Sequence, residues 1–99
     1  MVFMIMLKIE RASEGQQCVV FVLSGRIQSE DVVVLRKLIS AEKQKVVLNM
    51  KQVNLVDRPA VRFLSQCQAE GIELRNVSRY ISRWVSREAI TKDGLSDPE

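Results

Sequence analysis

The sequence predicts a single small α/β domain, and three observations support this fold class. Segments with strand spacing alternate with segments with helix spacing along the chain. The chain has 99 residues, which is room for one modest hydrophobic core. It contains no internal repeat, no low-complexity tract and no long linker. We therefore expect residues 1–90 to form the domain, and residues 91–99, which lack periodicity, to form a flexible tail.

The first half of the chain predicts two strands followed by a helix. Residues 4–11 alternate in the manner of a strand, and residues 17–23 are rich in β-branched side chains, so the two segments predict a hairpin. Ser29 is expected to cap the first helix, whose first turn is acidic. The valines at 32–34 would suit a strand on propensity alone, but the length and spacing of the segment favour a helix.

The most informative segment is KVVLNMKQVNLVDRPAVRFL, residues 45–64. It predicts a buried strand over residues 45–50, a short loop, and an amphipathic helix over residues 57–70. Asp57 is the expected N-cap of this helix, and Pro59 in the first turn gives up no intrahelical bond. The amino-terminal end of this helix is where we expect a partner to bind.

The last part of the chain predicts one more strand and one more helix. Gly71 is expected to end the second helix in a left-handed conformation, and residues 72–77 should form the fourth strand. Ser78 can then cap a third helix with an apolar side that contains Trp84. The opposite side of this helix should present three arginines to solvent: Arg79, Arg83 and Arg87.

The composition is typical of a globular protein, with 46% hydrophobic and 27% charged residues. The formal net charge of +3 does not require binding to nucleic acid or to an anionic membrane. The opening MVFMIML lacks the basic region and the cleavage site of a signal peptide. No segment approaches the roughly 18 to 20 apolar residues of a membrane span. We therefore expect a cytoplasmic protein.

Catalytic, metal and cofactor sites are not predicted. The chain has no histidine, the commonest general base and a common metal ligand. Cys18 and Cys67 lack metal-binding spacing and are expected to be reduced core residues. No acidic segment resembles a calcium loop, and no glycine-rich phosphate loop follows a strand.

Three segments resemble the STAS domain, the family named for sulphate transporters and anti-sigma-factor antagonists. They are VLSGRIQSEDVVVLRKLI, VVLNMKQVNLVD and EGIELRNVSRYISRWV, and the resemblance runs from about residue 17 to about residue 85. Its more specific parts are Gly25 with Arg26, Asp57, and the EGIELRNVS segment. The resemblance implies a four-stranded mixed sheet packed with about three helices. It also implies a non-catalytic module of bacterial signal transduction and transcription regulation, which binds a regulatory protein such as an anti-sigma factor or a sensor kinase.

The sequence departs from this family at the site of its regulatory switch. In the antagonist branch, a phosphorylatable serine or threonine directly follows the aspartate that corresponds to Asp57, whereas this chain continues with Arg58, Pro59 and Ala60. We therefore expect no phosphorylation there. Asn49 also replaces an aspartate that is common in the family, which we interpret as one negative charge fewer at the same junction.

The predicted partner-binding residues are Asp57, Arg58, Pro59 and Arg62. Asp57 would shape the helix start, and the two arginines would favour an acidic partner or an anion. The alternative is that the arginines form an ordinary solvated flank of an amphipathic helix.

Other interpretations of the sequence remain open. An uncovered fourth strand would permit a homodimer, and Trp84 would be either a core residue or an interface anchor. The alternative function is a nucleic-acid-binding or nucleotide-binding domain that uses an arginine-rich helix face. That face would comprise Arg79, Arg83 and Arg87, with Arg75 and Lys92 nearby.

Overall fold

The computed structural model describes residues 7–92, which form a four-stranded mixed sheet and three helices. The strand order is β1-β2-β3-β4, with β1 antiparallel to β2 and with β2, β3 and β4 mutually parallel. This architecture confirms the predicted fold class. The elements in chain order are β1 Leu7–Ser13, β2 Cys18–Ile27, α1 Ser29–Ser40, β3 Lys45–Val56, α2 Arg58–Ala69, β4 Glu73–Arg75 and α3 Arg79–Lys92.

The core lies between one face of the sheet and the helices. Alternate residues of β2 and β3, including Phe21 and Leu48, form one buried cluster with Leu35 of α1, Leu64 of α2 and Ile81 of α3. Helix α2 contacts both α1 and α3, so it is the central helix of this layer. In each helix, the regularly spaced apolar residues face the sheet.

Strand β3 is longer than the sequence predicted, and it contains two register shifts relative to β2. The prediction ended this strand at Met50 and placed a loop after it, whereas β3 continues to Val56. Relative to β2, β3 gains one residue between the pairs Val22–Asn49 and Ser24–Gln52, and another between Gly25–Val53 and Arg26–Leu55. The buried positions therefore change from a spacing of two to a spacing of three, with Met50, Val53 and Val56 facing the core. After Met50 the sequence no longer alternates between apolar and polar residues, so this part of the strand was predicted as a loop.

Several other boundaries also move. Strand β2 extends to Ile27, four residues beyond its predicted end, while β4 is only three residues long. The N-cap of α1 is Gln28 and not Ser29, because the side chain of Asp31 accepts a hydrogen bond from the Gln28 N–H at 2.9 Å. The valines at 32–34 are helical, as predicted.

The end of α2 and the start of α3 are as the sequence predicted. Gly71 has a φ of +92°, and its N–H and that of Ile72 donate to the carbonyls of Gln68 and Cys67, which closes α2 with a Schellman motif. The Ser78 hydroxyl accepts from the Ile81 N–H at 3.4 Å, so Ser78 caps α3. Helix α3 continues to Lys92, two residues into the predicted tail. The rest of that tail and the first residues of the predicted first strand lie outside the described residues.

Candidate functional site

The candidate site lies where β2 and β3 end and α1 and α2 begin. Because the two strands are parallel, their carboxyl ends meet at one edge of the sheet, the usual location of binding sites in α/β folds. We define the junction as residues 27–29, between β2 and α1, together with residues 55–62, at the end of β3 and the start of α2.

Asp57 joins the two halves of the junction. Its Oδ1 accepts a hydrogen bond from the Ala60 N–H at 3.0 Å, which makes it the N-cap of α2, as predicted. Its Oδ2 accepts from the Ser29 N–H at 2.9 Å, in the first turn of α1. The Asp57 N–H also donates to the Ile27 carbonyl at 3.2 Å. One carboxylate therefore satisfies amides at the positive ends of two helices.

Arg58 and Arg62 present their guanidinium groups at the start of α2, where both share one carboxylate. The Nε atoms of Arg58 and Arg62 lie 3.6 and 3.5 Å from the Oε2 and Oε1 of Glu88 on α3. The two arginine side chains are 64% and 61% exposed, while that of Glu88 is only 13% exposed. Such long, exposed ion pairs contribute little to stability. Their effect is to hold two cationic groups side by side at the surface.

Apolar surface accompanies these charges. Pro59 is exposed in the first turn of α2, while Ala60 and Val61, which follow it, are buried. Leu55, which pairs in register with Arg26, is 47% exposed. Sequence analysis missed Leu55 because the shifted register of β3 hid which of its apolar residues face outward.

Asn49 is not part of the junction, contrary to the interpretation of the sequence. It lies in the middle of β3, eight residues before Asp57, which corresponds to roughly 25 Å along an extended strand. Its Oδ1 accepts hydrogen bonds from the Lys51 N–H at 3.0 Å and from the Asn76 amide at 3.1 Å. The Lys51 bond lies at the first register shift, so Asn49 has a structural function there. Its neutrality therefore leaves the charge of the junction unchanged.

Within residues 7–92, the cysteines and the acidic residues provide no second site. Both cysteines are free thiols; Cys67 is buried, whereas Cys18 is only half-buried, less than a core residue should be. Burial raises the pKa of the Cys67 thiol to about 12, so this thiol stays protonated at neutral pH. Among residues 7–92, no three acidic or cysteine side chains are grouped in a way that would hold a metal ion. Within the same range, no helix is long and apolar enough to cross a membrane.

The arginine row of α3 is exposed as predicted, but Arg75 does not extend it. Arg79, Arg83 and Arg87 are all exposed. The Arg75 guanidinium instead forms ion pairs with Glu14 at 3.0 Å and with Glu73 at 3.2 Å, and their carboxylates raise its pKa above the ordinary value. Arg75 therefore belongs to a charge cluster on the sheet.

Comparison with known proteins finds similarity at the level of the fold. No protein-family model matches the sequence. No curated protein matches it either. Among solved structures, the antisigma-factor antagonist STAS domain from Rhodobacter sphaeroides matches with a TM-score of 0.49 and 16% sequence identity, over 75% of this chain and 94% of that chain.

Proposed function

We propose that this chain is a non-catalytic regulatory module that binds an acidic surface of a signalling protein through the junction. The observation that carries the proposal is the pair of exposed guanidinium groups on Arg58 and Arg62, which share Glu88 at the start of α2. The resemblance of the sequence to STAS domains supports a regulatory protein as the partner. An anti-sigma factor or a sensor kinase belongs to this class.

The charge arrangement suits the recognition of carboxylates. Each guanidinium has five N–H donors, and one carboxylate cannot satisfy those of two arginines. A carboxylate of the partner can therefore bind the outward donors while Glu88 still restrains the two side chains. The helix dipole of α2 adds positive potential at the same end.

The rest of the junction provides a rigid and partly apolar support for this contact. Asp57 fixes the starts of both helices, so little backbone ordering remains to oppose binding. Pro59 is exposed next to Arg58 in the chain, and Leu55 is exposed at the end of β3; both supply apolar area of the kind found in the centres of protein interfaces. Arg58, Pro59 and Ala60 carry no hydroxyl group, so we propose that binding is controlled without phosphorylation at the start of α2.

The proposal predicts that reversing the charges of the junction abolishes partner binding without unfolding the protein. We expect Arg58→Glu with Arg62→Glu to lose the partner that the unmodified chain retains in affinity capture followed by mass spectrometry. Isothermal titration with the purified partner should show a loss of affinity of at least about tenfold, since charge pairs at interfaces contribute on the order of 1.5 kcal/mol or more.

The matched control is Lys43→Glu with Lys45→Glu. It makes the same charge change at exposed positions before and at the start of β3, away from the junction. Arg58→Ala with Arg62→Ala tests the loss of the cations without bringing new carboxylates close to Glu88. Circular dichroism should show native folding for all three variants. Equal affinity of the junction and control variants for the partner would refute the proposal.

A further inference from the structure

A second surface with the composition of a binding site lies on α3, outside the junction. A shallow groove is lined by Tyr80, Arg83, Trp84 and Arg87. These positions follow helical spacing, so they form one stripe beside the buried stripe of Ile81 and Val85. Nothing in the function proposed for the junction uses this stripe.

The aromatic residues make the groove a firm support for an apolar side chain. Trp84 is half-buried and packs against the core, so its ring is held in place while part of it lines the groove. Tyr80, one turn earlier, is 48% exposed. Tryptophan, tyrosine and arginine are the residue types that contribute most to the affinity of protein interfaces. The groove combines all three.

The charge of α3 determines which charge a segment bound in the groove should carry. Residues 79–88 contain three arginines and one acidic residue, Glu88. Glu88 is 13% exposed and faces Arg58 and Arg62 on α2. Its carboxylate is therefore directed toward the junction, and the positive charge of Arg79 and Arg83 dominates the exposed side of the helix. A complementary occupant is acidic.

We propose that the groove on α3 binds an acidic segment of a partner protein. An apolar side chain of the segment packs between Tyr80 and Trp84, and its carboxylates bind Arg79 and Arg83. A nucleic acid would also be attracted by the arginines, but the chain's net charge of +3 provides little of the electrostatic attraction on which such binding depends. The groove requires no residue of the junction, so this second contact goes beyond the function proposed above.

The chain contains a built-in reporter for this test, because Trp84 is its single tryptophan. The probe is a synthetic peptide with glutamates on one side and leucines at helical spacing on the other. We expect a saturable change in tryptophan emission on titration with this peptide. A peptide with lysines in place of the glutamates should cause no such change.

Variants assign the response to the groove. Arg83→Glu and Tyr80→Ala change exposed side chains, and each should weaken peptide binding by about tenfold or more, as expected for dominant interface residues. The matched controls are Lys37→Glu and Val33→Ala on α1, also at exposed positions, and they should bind the peptide with the original affinity.

Three results would overturn the proposal. The first is the absence of a saturable emission change with the glutamate peptide. The second is equal weakening in the groove variants and the α1 controls. The third is a response to a short oligothymidine without a response to the glutamate peptide, which would assign the groove to nucleic acid.

Discussion

At the scale of single residues, Asp57 is the side chain on which most of the junction depends. An aspartate before a helix is usually read as a cap of that helix alone. Here the carboxylate also reaches back to the Ser29 N–H, an amide that follows a different strand. The sequence predicted the first contact because it is local. The second depends on the parallel pairing of β2 and β3, which no local pattern contains.

Two substitutions of Asp57 separate these contacts. Asp57→Ser keeps an oxygen near the Ala60 N–H but is too short to reach Ser29, whereas Asp57→Ala removes both acceptors. We expect Asp57→Ser to lower the free energy of unfolding by about 2 kcal/mol, the typical value of a hydrogen bond to a charged group, and Asp57→Ala by about 3 kcal/mol, because it also loses a cap worth about 1 kcal/mol. The measurement is urea denaturation, in which the m-value should stay the same in all variants. An Asp57→Ser variant as stable as the original chain would show that the Ser29 contact contributes nothing.

At the scale of elements, the sequence predicted which helices and strands exist better than where they end. The helices were predictable because their apolar spacing and their caps are local, as with Asp57 and Ser78. Strand β3 was truncated because each register shift inserts one residue, and the period-two pattern that identifies a strand then disappears. The exposure of Arg58 and Arg62 was predictable from helix spacing. Their common partner Glu88 was not, because it lies on another helix.

The first register shift of β3 gives a prediction about Asn49. Asn49→Ala removes the acceptor for both the Lys51 N–H and the Asn76 amide and should lower the free energy of unfolding by about 2 kcal/mol, since each hydrogen bond has a net value of about 1 kcal/mol. Asn49→Asp keeps acceptors for both Lys51 and Asn76, so its stability should be close to that of the original chain. Hydrogen exchange followed by NMR should show faster exchange of the Lys51 amide in the alanine variant alone. Unchanged exchange in that variant would contradict this account of the shift.

At the scale of the whole molecule, the edges of the sheet bear on self-association. Within the described residues the edge strands are β1 and β4. Strand β1 carries the exposed pair Lys8 and Glu10, 3.3 Å apart, and Arg11 forms a 2.7 Å ion pair with Glu42. Strand β4 pairs with β3 at only three positions. Charge on one edge and a short second edge both disfavour strand addition.

We therefore predict a monomer in light scattering at micromolar concentration, although the sequence left a homodimer open. Replacing Lys8 and Glu10 with threonine removes charge from the β1 edge while keeping a residue suited to strands. This variant should associate more readily than the original chain as concentration increases. A dimer of the original chain that persists on dilution would contradict the prediction and would identify an interface elsewhere.

The contact between Asp57 and Ser29 has a further consequence for the motion of the molecule. Two connections that are far apart in the chain share one anchoring group, so neither helix can fray at its first turn without loosening the other. Binding of a ligand to α2 should therefore also affect the start of α1. The first turns of the two helices should open together, in a single cooperative event.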